Sequence, residues 1–587
     1  MQAPPELRSA LGFPTRLLMR RKKSRLFASA QHCQQTQHQT LSRLLHLNAG
    51  SRFANEHRLS DSTSLAEFRR SIPITNYDQY SSYIEQMKLG DHSALLGPKN
   101  PLLMFAMSSG TTSASKYIPI TREFLKDYRR SWQIWTVMTS DQHPNVKKHR
   151  ILQLSSDHQR FFTDGGTPCG NISGLTAVAQ GSVVRHLYTV PSDLCRIKDL
   201  DTKYYAIARF ALADPEVGIA MTANPSSLIA LAQFADKHKV DIIRDIADGS
   251  FKTKDATPPE LLQHISQRAF KPNPRRAQQL EALIQQHGRL WPRDYWPMLD
   301  IVSVWTAASC ISYLPTLRRY YGDVPLRDHG LAASEGRMTI PIADGCADGL
   351  LDISSHYFEF IPEDEYGSLN PTILEAHELE QNKCYYILLT TSSGFSRYDI
   401  CDVVQCTGFV GNTPMLTFLH KGSHISSITG EKLSESQVIE AVQAAANRMQ
   451  IHLHQFTMVP TWGEPPRYEL MVERSDLPAQ GVVDNFATTI DTTLQQQNCE
   501  YAEKRQSARL GALRIVPLME DSWNRMATVR QSQAGSSVEQ YKHPCLIPNM
   551  DDGTQLFADL IAEEFTPVDD KQTGTATGDA TSLLRRS

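Results

Sequence analysis

Apolar and polar positions along this chain follow two rhythms. Short, mainly apolar runs at 102–107, 301–305, 385–389 and 415–419 predict buried strands. Past Thr121 the rhythm is helical: Phe124, Tyr128, Trp132, Trp135 and Met138 recur at spacings of four, four, three and three, so they share one face of a helix. The residues before the first run read as helical and polar, ending in Ile72-Pro73-Ile74. A turn of small residues, Thr306-Ala307-Ala308-Ser309, follows the 301–305 run, and a helix through Leu317 with an extended segment near 324–326 completes an α/β unit.

The texture changes near residue 423. Ser434 and Gln437 form a capping-box signature, and the helix runs on through Val438, Val442 and Ala445. Strands at 456–459 and 468–472, a helix from Asn485 and a strand at 513–516 follow. The expected fold class is therefore α/β: a large N-terminal domain of mixed sheets and helices at 1–422, and a smaller α+β domain at 423–566. Residues 567–587, rich in Asp, Thr and Gly, are expected to be disordered.

Composition narrows the function. At 587 residues the chain should hold two or three domains, and its 41% hydrophobic and 21% charged content is that of a soluble globular protein. A formal charge of -3 argues against a protein built to coat nucleic acid or an anionic membrane. No apolar stretch approaches the roughly 20 residues that cross a bilayer. Arg20-Arg21-Lys22-Lys23 lacks a following apolar region, so it reads as a solvated helix face or a basic targeting element rather than a secretory signal. Ten scattered cysteines with no C-x-x-C pair suggest reduced thiols in a cytoplasmic setting. His452 and His454 would share one side of a strand, and Asp344, Asp348 and Asp352 recur every four residues; neither set has the further ligands of a metal site, and both read as structural or solvent-facing.

Four segments carry candidate chemistry. After the first strand comes Ser108-Ser109-Gly110-Thr111-Thr112-Ser113-Ala114-Ser115-Lys116. Its small side chains leave backbone N–H groups free to converge on an anion, its hydroxyls add donors and Lys116 adds charge; an ordinary polar loop would look the same. The second is Ala332-Ala333-Ser334-Glu335, where a carboxylate beside small residues could hold magnesium or simply face solvent. The third runs from Arg397-Tyr398 to Asp402-Val403-Val404; Asp402, entering a strand, could accept both hydroxyls of a ribose or be a turn residue. The last is Lys542, beside His543-Pro544. The aromatic stripe of Phe124, Tyr128 and Trp132 is either core packing or one wall of a pocket for a ring-bearing molecule.

In order and spacing these segments resemble the Gretchen Hagen 3 family of acyl acid–amido synthetases, within the firefly-luciferase-like adenylate-forming superfamily. The resemblance extends through Thr407-Gly408-Phe409, Thr413-Pro414, the segment 357–362 and Gly430-Glu431-Lys432-Leu433. It implies an enzyme that uses ATP and Mg2+ to adenylate a small carboxylic acid and then passes the acyl group to an amino acid amine, releasing AMP. It implies no nucleic acid or membrane partner, and it leaves the oligomeric state open, a monomer included.

Carried over by position, Ser108, Ser109, Gly110, Thr111, Thr112 and Lys116 would bind the leaving phosphates. Glu335 would serve the metal, Ala332, Ala333 and Ser334 would lie against adenine and the α-phosphate, and Asp402 would hold the ribose. Lys542, on a mobile C-terminal domain, would approach the α-phosphate and then withdraw, while Phe124, Tyr128 and Trp132 would border the acyl pocket. Leu331, Ala307, Ala308, Asp399, Cys401 and Cys545 depart from the family pattern. A coenzyme A ligase-like adenylate-former and a non-catalytic ligand-binding homologue are the alternatives.

Overall fold

The stripe past Thr121 forms the helix that organises the N-terminal half. The computed structural model describes residues 4–108, 116–179, 182–252, 257, 261–262, 271–422, 425–429, 431–477, 480–507, 509–534, 543–548, 557 and 560–561. In chain order, strand β1 (Leu102–Ser108) pairs antiparallel with β2 (Lys116–Thr121), and helix α1 (Arg122–Gln142) leaves β2 directly. Thr121 caps that helix by accepting a hydrogen bond from the N–H of Phe124 at 3.2 Å, which stops the strand and starts the helix at one residue. Phe124, Ile134, Trp135 and Met138 are buried along its inner face.

Two further sheets fill this half. Arg150–Gln153, Val217–Met221, Ile301–Ser303 and Leu326–Arg327 form a parallel four-stranded sheet in that order, and their core is closed by the helices Leu200–Ala213, Pro225–Lys237 and Pro274–His287. Parallel strands need crossover helices on their faces, and the two central strands, Val217–Met221 and Ile301–Ser303, are buried at every position, while Arg150–Gln153 at one edge alternates. A seven-stranded antiparallel sheet follows, in the order Thr339–Ile340, Gly349–Leu351, Thr413–Lys421, Tyr398–Val410, Cys384–Thr390, Tyr357–Pro362, Leu374–Glu375. Between the two sheets in sequence lies a short hairpin, β3 (Ala332–Ala333) and β4 (Gly336–Arg337).

Beyond Lys421 a separate core spans Leu433 to Leu546. Helix α2 (Glu435–Met449) opens with Ser434 and Gln437 in a reciprocal capping box, as the pattern predicts. Thr457–Thr461, Arg467–Glu473 and Arg514–Leu518 form its three-stranded sheet. The helix expected from Asn485 begins earlier, at Gln480, because buried Val483 already contributes to the core. His452 and His454 are not on a strand: the N–H of His454 donates to Asp476 at 2.7 Å instead of joining a ladder, and the strand starts at Thr457. The segment expected to be disordered, 567–587, lies outside the described residues. All ten cysteines are free.

Candidate active site

The last rung of β1 and β2 pairs Ser108 with Lys116, so residues 109–115 connect two antiparallel neighbours. Ser109, Gly110, Thr111 and Thr112 within it lie outside the described residues. Lys116, the first residue of β2, has its Nζ 5.5 Å from the ring centre of Tyr77, whose hydroxyl accepts the N–H of Tyr117 at 2.8 Å.

Glu335 occupies the two-residue turn between β3 and β4 and is only 6% exposed, whereas Ala332, Ala333 and Ser334 are half-buried. Gly336 follows because a Cβ there would lie 2.4 Å from Nε2 of buried His356. Burial raises the Glu335 carboxyl above its ordinary range; Lys421 and Lys116 pull the other way and Asp402 adds to the rise. Glu335 thus shares one electrostatic neighbourhood with two cations and a second carboxylate.

Asp402 sits within strand β6 (Tyr398–Val410), which pairs with β5 (Cys384–Thr390) on one side and β7 (Thr413–Lys421) on the other. It is buried, and its Oδ1 accepts the Nζ of Lys421 at 2.6 Å. Lys421 also donates to the carbonyl of Ile400 at 3.1 Å. Burial opposes its charge, yet Asp402 and then Glu335 raise the ammonium above its ordinary value. The strand bulges against β5 just before Asp402, and there Cys401 adopts a left-handed φ of 56°. Asp399 accepts the N–H of Cys401 at 2.7 Å, holding that turn closed. At the start of β6, Arg397 donates from Nε to Glu359 at 2.9 Å and from Nη1 to the carbonyl of Ile72 at 2.8 Å; Arg69 takes the other oxygen of Glu359 at 2.8 Å. Arg397, part of a signature segment, is thereby a buried staple between helix and sheet.

The aromatic stripe divides. Phe124 is 2% exposed and belongs to the core, while Tyr128 and Trp132 are half-buried. Phe124 stacks on Tyr128 with ring centres 6.2 Å apart, and Trp132 packs edge-on to His329 at 5.0 Å. Trp135 donates its indole N–H to the carbonyl of Asp328 at 2.9 Å. Lys542 lies outside the described residues. Its neighbour His543 is buried, with Nε2 2.9 Å from the carbonyl of Phe456 and 3.0 Å from Oγ1 of Thr457.

Three consecutive family models match this chain: the GH3 family N-terminal domain over residues 22–326, the central domain over 349–421 and the C-terminal domain over 436–551. The chain belongs to the GH3 family. It is 25% identical to a probable indole-3-acetic acid-amido synthetase of Oryza sativa subsp. japonica, over 91% of this chain and 95% of that one. It is also 25% identical to a jasmonoyl–L-amino acid synthetase of the same rice, over 86% and 91%. Among solved structures it shares the fold of GH3.15 acyl acid amido synthetase, with a TM-score of 0.80 at 20% identity over 92% of this chain and 96% of that one.

Within this GH3 frame the departures acquire physical content. Cys401 stands in a left-handed conformation that a glycine takes without steric cost, and Asp399 supplies the bond that holds it. Leu331 is 9% exposed, packed into the main core, with its N–H donated to Oγ1 of Thr339 at 2.8 Å. Ala308 also has a positive φ, of 49°. Cys545 is fully buried and donates its N–H to Glu435 at 2.7 Å. Among the described residues no three His, Cys, Asp or Glu side chains cluster as a metal cage, and no helix is long and apolar enough to cross a membrane.

Proposed function

We propose that this protein is an ATP-dependent acyl acid–amido synthetase, which adenylates a carboxylic acid and transfers the acyl group to an amino acid. The observation that carries this reading is the ordered match of all three GH3 domain models. The convergence of Glu335, Asp402, Lys421 and Lys116 beside the phosphate-loop hairpin supports it.

In this reading Ser108, Ser109, Gly110, Thr111, Thr112 and Lys116 bind the β- and γ-phosphates, Asp402 accepts the ribose hydroxyls, and Ala332 to Ser334 lie along the adenine and α-phosphate. A carboxylate oxygen of the acid attacks the α-phosphorus and pyrophosphate leaves. The amine then attacks the acyl carbon, loses its proton, and AMP leaves. Two anions meet in the first step, so the protein's contribution is positioning and charge neutralisation. Lys116 stays with the phosphates, and Lys542 approaches the α-phosphate and withdraws as residues 423–566 rotate. Closure of that domain keeps water from the mixed anhydride.

Magnesium fits the residues present: Glu335 is a buried carboxylate with Asp402 nearby, and this cation is ordinarily held by one or two carboxylates plus substrate phosphates. When bound it offsets phosphate charge. The ten free cysteines fit a reducing, cytoplasmic setting. The test is pyrophosphate release by the purified full chain with ATP, magnesium and a panel of carboxylic acids, followed by mass spectrometry of products with amino acids or coenzyme A. Amides with AMP are expected. Thioesters would reassign the protein to the coenzyme A ligases, and ligand binding without pyrophosphate to the non-catalytic homologues.

A further inference from the structure

Arg337 is 2% exposed and lies two residues past Glu335, on β4 of the same hairpin. Its guanidinium carbon stands 4.0 Å from the ring centre of Trp132, and Nη2 donates to the carbonyl of His329 at 2.5 Å. Nε has no hydrogen-bond partner, and no carboxylate lies within ion-pair distance among the described residues. Other arginines of the core and its margin are served differently. Arg130 is paired with Asp352 at 3.0 Å and Arg397 with Glu359. Arg276 has no carboxylate either, but its Nε, Nη1 and Nη2 reach the carbonyl of Leu212, the Gln279 side chain and the carbonyl of Tyr295.

The acids around Arg337 are already committed. Asp352 is held by Arg130 and by Ser131 at 2.5 Å. Asp328 accepts from the N–H and hydroxyl of Thr306 and from the N–H of Gly330 at 2.5, 2.8 and 2.6 Å. Burial pulls the guanidinium down to about 10, with Tyr128, Asp352 and Asp328 opposing the fall. Burial and the Arg337 charge also push His329 to about 3, so its ring is neutral, and its Nε2 has no partner. A buried cation held this way is costly unless an anion arrives.

The hairpin therefore has two chemically different arms. Glu335 faces the neighbourhood of Lys116, Asp402 and Lys421, and Arg337 faces half-buried Trp132 and Tyr128. Under the synthetase reading, on which this inference rests, the activated carboxylate belongs on the Glu335 side.

We propose that Arg337 binds a second carboxylate on the acyl substrate, so that this protein's acids are aromatic dicarboxylates whose ring lies against Tyr128 and Trp132. A guanidinium gives paired, charge-assisted hydrogen bonds to a carboxylate, and here it is buried before the ligand binds. A monocarboxylate of the same shape would leave it unpaired, and sites built to pair a polar group reject analogues that lack one.

The test compares terephthalate and isophthalate with 4-methylbenzoate and benzoate, using the full chain, ATP and magnesium. Pyrophosphate release and ligand-induced thermal shift are both read, for wild type, Arg337→Met and Arg337→Lys. Wild type should favour the diacids about a hundredfold in kcat/KM. Arg337→Met should abolish that preference while changing the monoacids less than about threefold, and Arg337→Lys should keep part of it. A diacid-specific thermal shift that Arg337→Met removes, without pyrophosphate, would support the anion site and sink the synthetase reading. Equal use or equal binding of both acid classes by wild type would overturn the proposal. So would a uniform loss in Arg337→Met, which would make Arg337 a staple between His329 and Trp132.

Discussion

Asp402 and Lys421 face each other across β6 and β7, 2.6 Å apart, as register partners in the hairpin that turns at Gly411 and Asn412. Asp402 thus has two jobs to separate: it pairs a lysine and, in the synthetase reading, it holds a ribose. Asp402→Ala should abolish pyrophosphate exchange and also destabilise the protein by about 1–3 kcal/mol, because it strands Lys421. That figure sits below the fully buried value since the Lys421 side chain keeps 37% exposure. The double variant Asp402→Ala/Lys421→Met should regain most of the stability in denaturant unfolding but none of the exchange. Recovered exchange in the double variant would mean that Asp402 serves only to pair Lys421.

Glu359 is 1% exposed and receives Arg69 on one oxygen and Arg397 on the other. Replacing it leaves two guanidinium groups without their carboxylate. Glu359→Gln should therefore cost about 3–5 kcal/mol in equilibrium unfolding, far more than an ordinary surface change. A loss under about 1 kcal/mol would show that the cluster does not hold the helix Leu65–Ser71 to the sheet.

The helix beside the candidate site was legible because its signals are local. Thr121 announces a cap, and the stripe from Phe124 to Met138 announces a buried face; both depend only on nearby residues. Lys421 escaped the sequence reading although the signal was there. Counting outward from the turn at Gly411 and Asn412 places it opposite Asp402, but only once both strands are known to pair without net slip. The buried role of Arg397 could not be read at all, since its partners Glu359, Arg69 and Ile72 come from distant segments. The left-handed turn at Cys401 was equally hidden: cysteine signals no positive φ, and the compensating bond from Asp399 is visible only in three dimensions.

Asp328 gives a pH-dependent signature. Burial pushes its carboxyl from 3.8 to about 6, with bonds from Gly330 and Thr306 opposing the shift. A folded-state value raised above the unfolded one favours folding fully below about pH 4, and that contribution is lost as pH rises through about 6. The stability of Asp328→Asn relative to wild type should therefore shift in favour of the variant between pH 4 and pH 7. The change should approach about 3 kcal/mol, from roughly two units at 1.36 kcal/mol each. Denaturant unfolding of both proteins across that range measures the difference directly. A constant offset would mean that the hydrogen bonds to Thr306 and Gly330 hold the carboxylate ionised throughout.

Gly336 and His356 make the last test, because the space between them is already filled. A Cβ at Gly336 would lie 2.4 Å from Nε2 of His356, whose ring is 3% exposed and has a Phe124 ring centre 6.2 Å away. The ring has little room to yield, so the hairpin carrying Glu335 and Arg337 must move instead. Gly336→Ala should cost about 1–3 kcal/mol by overpacking and lower pyrophosphate release, since both arms of the hairpin are displaced. His356→Ala opens the space at the expense of a cavity. In the double variant the two effects should not add: Gly336→Ala/His356→Ala should be more stable than the sum of the single losses predicts, by at least about 1 kcal/mol. Strict additivity in that cycle would show that the approach of the His356 ring is not what excludes a side chain at Gly336.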